Sequence, residues 1–133
     1  MRIIIGLALL AAASPAIAQD DSWMLGEWTG EAVTPFDDNP RHRIRIIVGR
    51  QRSGEPTATI RYETLRCFGS WGDAADAGRS WFFREIVTED EGGNCPDQMS
   101  VEVTRVRGGI RIYWREVGAD RIMADATLTR RSR

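Results

Sequence analysis

The chain has 133 residues, with 18 basic against 19 acidic side chains and a net charge of −1. So even a balance provides no field for nucleic acid or for an anionic membrane surface, and the length allows one domain with a modest core. Every basic side chain apart from His42 is an arginine. Genomic base composition accounts for that, since recognition of carboxylates or phosphates needs a cluster; Arg41, Arg43 and Arg45 come closest to one.

The chain opens with Met1-Arg2, an apolar run over residues 3–13 broken only by Gly6, and then Ser14-Pro15-Ala16-Ile17-Ala18. A positive start, an apolar stretch and an Ala-x-Ala site form the layout of a secretory signal peptide. Residues 1–18 are therefore expected to be cleaved, leaving residues 19–133 as one domain. The apolar run is too short for a bilayer core, which needs about 20 residues, so no transmembrane anchor is expected after cleavage. The mature chain belongs outside the cytoplasmic membrane of a bacterium, either periplasmic or secreted.

Beyond Gln19 nearly everything reads as strand. Residues 23–34 form the first, closed by Pro35, and Asp37-Asp38-Asn39-Pro40 is a turn cluster. Residues 43–48 alternate, with Ile44, Ile46 and Val48 on one face and Arg43, Arg45 and Ile47 on the other. Residues 49–56 make a polar hairpin loop. Ala58, Ile60 and Tyr62 then point inward along residues 57–65. The stretch 62–71 reads as a strand turning sharply at Gly69, followed by a flexible loop or one short helical turn over residues 72–78. Residues 80–88 are aromatic and β-branched, and 89–96 form a charged, glycine-rich connection. Residues 99–103 alternate, Gly108-Gly109 makes a two-residue turn, residues 110–114 return, Gly118-Ala119-Asp120 turns again, and 122–129 form the last strand.

Seven or eight short strands with hairpin-length connections predict an all-β fold, a single antiparallel up-and-down barrel. Closure removes the exposed edges that invite aggregation. A two-sheet β-sandwich is the rival architecture. Cys67 and Cys95 are the only cysteines, and in an exported chain they predict a structural disulfide. Closing a loop of that length contributes about 3.5 kcal/mol. A redox-active pair would need a Cys-x-x-Cys spacing that is absent here.

Few residues could carry chemistry. His42, the one histidine, sits among arginines and reads as a surface side chain. One histidine and two oxidised cysteines leave too few soft ligands for a transition metal, so no metal or cofactor is expected. Glu89-Asp90-Glu91 lacks the spacing of a calcium loop. No nucleophile motif, convergent carboxylate pair or phosphate loop is present, which argues against an enzyme. Glu85 differs from these. Alternation places it with Trp81, Phe83 and Val87 on one face, so a carboxylate shares the inward side. A buried charge is costly unless paired and hydrogen-bonded. Either an arginine pairs it, helped by a hydroxyl such as that of Tyr62, or it anchors a small ligand in the barrel mouth.

Gly26-Glu27-Trp28 resembles the Gly-x-Trp of lipocalin-like (calycin) barrels. The resemblance implies that Trp28 closes one barrel end beneath Arg130, with Gly26 beside them. A second resemblance covers most of the mature chain. Trp28 and Gly30, then Tyr62, Leu65, Cys67 and Gly69, then Phe83 and Glu85, then Cys95, and finally Tyr113-Trp114 recur in the order of a small extracytoplasmic β-barrel module. That module is found behind some bacterial serine/threonine kinases and also alone behind signal peptides. Its members often carry proline after the tyrosine and two glycines after the cysteine, where this chain has Glu63 and Phe68-Gly69. The resemblance implies sensing or binding outside the cell.

Three roles follow. The chain is expected to be a non-enzymatic module holding a small apolar or amphipathic ligand in a cavity lined by Tyr62, Phe83, Glu85 and Trp114. Alternatively it is an envelope protein–protein interaction module, a sensor or inhibitor, working through its loops; a filled barrel and an exposed patch around Phe68, Trp71 and residues 72–78 would mark that case. The third role is a structural or accessory envelope protein with no discrete site.

Overall fold

The computed structural model describes residues 20–131, so the predicted signal segment lies outside the described residues. Eight antiparallel strands follow one another around a closed barrel: β1 (Gly26–Val33), β2 (Arg41–Arg50), β3 (Pro56–Tyr62), β4 (Cys67–Asp76), β5 (Ser80–Asp90), β6 (Gln98–Val106), β7 (Gly109–Arg115) and β8 (Ile122–Arg130). The circle closes where β8 pairs with β1, placing Trp28 opposite Arg130 and Ala32 opposite Ala126. This is the expected up-and-down barrel. Unbroken pairing from one strand to the next excludes the sandwich.

The two-residue period of a strand sorts the side chains. Along β2, Ile44, Ile46 and Val48 are buried while Arg43 and Ile47 are exposed. The same alternation buries Ala58, Ile60 and Tyr62 on β3, Val101 and Val103 on β6, and Ile110, Ile112 and Trp114 on β7. Each fully buried isoleucine or valine contributes about 1.5–3 kcal/mol. An eight-stranded barrel is just wide enough for side chains to fill. Here Trp71 and Phe83 fill its middle, their ring centroids 5.3 Å apart.

Local readings of three stretches are corrected. The turn after Tyr62 falls on residues 63–66, and Gly69 lies inside β4. A Cβ at Gly69 would stand 2.9 Å from the Ile86 carbonyl and 3.6 Å from Cγ of Glu85. Close packing against the neighbouring strand, not a bend, demands the glycine. Residues 72–76 are strand and not a loop or helical turn; a register shift between Gly72 and Ala75, with Asp73 at φ 53°, marks a bulge. The β6–β7 turn is Arg107-Gly108, because Val106 pairs with Gly109.

The alternating topology sends the connections to two ends. At one, a single 3₁₀ turn (Ser22–Met24) buries Met24 completely beneath the barrel. Nε1 of Trp28 donates to the Met24 carbonyl at 2.8 Å. The Arg130 guanidinium lies over the Trp28 indole, 4.5 Å from its centroid, and donates to the carbonyls of Trp23 and Leu25. A Cβ at Gly26 would come within 2.6 Å of Nη1 of Arg130. An Asp21–Arg50 ion pair fastens the residue before the turn to β2. Among the described residues no helix is long and apolar enough to cross a membrane.

Candidate functional site

The other end is open. The β1–β2, β3–β4, β5–β6 and β7–β8 connections surround a cavity of about 190 Å³. Its walls are mainly apolar: Ala32, Leu65, Met99, Trp114, Met123 and Ala124, with Phe36 at the rim. Thr34, Asp37, His42, Tyr62, Glu85 and Asn94 supply the polar positions. Wider depressions on the outer wall, of about 340 and 310 Å³, are lined by opposed charges such as Arg61 with Glu63 and Arg41 with Glu31. They are solvated surface, whereas the mouth is the concave, apolar site with convergent polar groups that ligands prefer.

Strand alternation carries Glu85 from β5 into this cavity, where only 2% of it is exposed. Three neutral donors meet its carboxylate. The Tyr62 hydroxyl donates to Oε2 at 2.6 Å. The indole N–H groups of Trp71 and Trp114 donate to Oε1 at 2.7 and 3.1 Å. No arginine among the described residues pairs with it as expected; two indoles take that place, while the tyrosine hydroxyl is present as expected. Each carboxylate oxygen can accept two hydrogen bonds, so Oε1 is saturated and Oε2 keeps one acceptor position. Burial pushes the Glu85 pKa above its ordinary value although all three donors pull it down. Burial, followed by the adjacent carboxylate, holds the Tyr62 hydroxyl well above its usual range.

His42 is the residue whose sequence reading fails. It is buried, 3% exposed, and lines the cavity instead of the surface. Its Nε2 lies 3.1 Å from Oγ1 of Thr34 and 3.8 Å from Oδ2 of Asp37. Its Nδ1 is buried with no hydrogen-bond partner among the described residues. The signal was available: His42 shares the parity of Ile44, Ile46 and Val48.

The remaining candidates divide. Tyr62, Glu85 and Trp114 meet at the cavity, with the Tyr62 and Trp114 ring centroids 6.4 Å apart. Phe83 does not join them, being deeper against Trp71. Gly26, Trp28 and Arg130 lie together at the opposite end. Trp71 is only 1% exposed, and Phe68 is half-buried with the Arg61 guanidinium 6.0 Å from its centroid. The exposed patch expected around them therefore does not form.

The Cys67–Cys95 disulfide joins the start of β4 to the β5–β6 connection. The Asp90 carboxylate accepts the backbone N–H groups of Asn94 and Cys95 at 3.2 and 3.1 Å. Together they hold Asn94, Cys95 and Pro96 against the cavity. Cys67, Asp90 and Cys95 cluster closely enough for a metal ion, but sulfurs bonded to each other carry no thiolate to ligate one.

The fold and site define an eight-stranded up-and-down β-barrel, plugged at one end and holding a small polar-anchored cavity at the other. Comparison with protein-family models, curated proteins and solved structures returns no match.

Proposed function

We propose that the protein is an exported, non-enzymatic binding module that holds a small amphipathic ligand in the mouth of its barrel. One observation carries the reading: an apolar cavity of about 190 Å³ with the Glu85 carboxylate fixed in it by three donors. Size limits the ligand, because a cavity of about 150 Å³ holds benzene. A single ring with a short polar tail fits, and a fatty acyl chain or a fused-ring cofactor does not. The predicted signal peptide, the disulfide and the resemblance to the extracytoplasmic module favour a periplasmic or secreted location.

Titration of single-ring alcohols such as benzyl alcohol, followed by NMR of the indole N–H groups, tests this. The Trp71 and Trp114 signals are expected to move and those of Trp23 and Trp28 to stay. Signals that ignore every probe would sink the reading.

The rim favours a second reading, an interaction module for an envelope protein. Phe36 is 64% exposed with the Arg121 guanidinium 4.3 Å from its centroid, and Val117 and Ile122 lie exposed in and beside the β7–β8 connection. Such a partner would cover the mouth, so added benzyl alcohol would not compete with it for Glu85 but would be trapped beneath it.

A further inference from the structure

We propose that the mouth cavity selects a small organic cation, a protonated amine on a single ring, and that Glu85 is the group that recognises its charge. The inference rests on the mouth as a ligand site and adds the chemistry of the ligand's polar end.

Charge is the first reason. The chain carries 18 arginines and no lysine, yet none among the described residues lines the cavity. The ionisable groups that do are Glu85 on β5, Asp37 in the β1–β2 connection, His42 on β2 and Tyr62 on β3. Two are carboxylic acids, so an anionic ligand would meet like charge inside, with the Arg121 guanidinium only at the rim over Phe36.

Incomplete pairing is the second. The donors on Glu85 are a phenol and two indoles, all neutral. They stabilise a carboxylate by hydrogen bonding without neutralising it. A buried charge lacking an opposite charge is costly, and burial raises the Glu85 pKa above its ordinary value. An ammonium group removes that cost. It donates to the open acceptor position on Oε2 and supplies the missing positive charge.

The walls are the third. Tyr62 and Trp114, which donate to Glu85, also line the cavity. The ligand's ring packs on Leu65, Met99 and Met123. A neutral alcohol of the same shape can use this apolar surface and donate one hydrogen bond, but it supplies no positive charge.

Cation binding and ionisation of Glu85 are then coupled: the cation pairs with the ionised form, and any proton that Glu85 holds goes to solvent. Three probes of nearly equal size separate the outcomes: benzylammonium, benzyl alcohol and benzoate. Benzylammonium is expected to bind at least about tenfold more tightly than benzyl alcohol, and benzoate more weakly than either. Glu85→Gln should remove the preference of benzylammonium over benzyl alcohol. In the wild-type protein, which needs no variant to fold, benzylammonium should lower the titration midpoint read from the Glu85 side-chain carboxyl NMR shift. Benzyl alcohol should not lower it. Equal binding of cation and alcohol, or an unmoved midpoint, overturns the cation assignment while the mouth remains a ligand site. Failure of all three probes overturns both.

Discussion

At the plugged end Arg130 stacks on Trp28 and donates to two backbone carbonyls, and Trp28 itself donates to the Met24 carbonyl. At the mouth Glu85 accepts from three neutral side chains and keeps an acceptor position, and His42 leaves a ring nitrogen without a partner among the described residues. Both ends combine an ionisable residue with tryptophan, but the Arg130 charge is exposed to solvent whereas Glu85 is buried. Around Arg130 the main chain supplies the partners, so the cluster is complete and needs nothing from outside. At the mouth a carboxyl group is enclosed with no counter-charge among the described residues. The difference separates a structural plug from a place prepared for a ligand.

Breaking the disulfide should give the largest effect. Replacing Cys67 and Cys95 together by alanine is expected to lower stability by about 2–5 kcal/mol in urea denaturation. It should also weaken benzyl alcohol binding, because the bond holds the cavity-lining β5–β6 connection. Trp28 indole exchange should change only as far as global stability does. Arg130→Ala should cost less, about 1–3 kcal/mol, from lost stacking and hydrogen bonds to the main chain. Isothermal titration should find ligand binding unchanged in that variant. If Arg130→Ala abolished binding and the cysteine pair did not, the roles assigned to the two ends would be reversed.

Alternation made the barrel legible because a closed sheet with a filled interior imposes one inward face on every strand. Ile44, Ile60 and Val101 needed no knowledge of their partners. Glu85 was legible for the same reason, but its partners were not. Trp71 and Trp114 reach it from β4 and β7, far away in sequence, and no local pattern says that two indoles will converge on one oxygen. Gly69 misled because its neighbours across the sheet, Ile86 and Glu85, forbid a Cβ, a constraint invisible along the chain. His42 misled differently: its arginine neighbours set the expectation, where the parity of its strand should have.

Two carboxylates allow the comparison of the ends to be read by pH. Glu27, on the outside of the plugged end, is held below its ordinary pKa, first by the hydrogen bond from Arg131 and then by Arg45. Its contribution to stability is present above the unfolded value and lost as pH falls through the folded one. Glu85 has the opposite sign. Its folded pKa lies above the ordinary value of 4.5, so between the two values the folded protein holds a proton that the unfolded chain has released. Raising pH through that window favours unfolding, and the stability present in acid is lost as pH passes the folded midpoint. Urea midpoints measured from acid to neutral pH should therefore rise first, as Glu27 ionises, and then decline through the Glu85 window. Glu85→Gln should abolish the decline and leave the acid-side rise intact. A saturating cation should flatten the same decline in the wild-type protein, because it pairs with the ionised form of Glu85. If the decline persisted in the glutamine variant, it would belong to another group, and the mouth would hold its carboxylate at no cost.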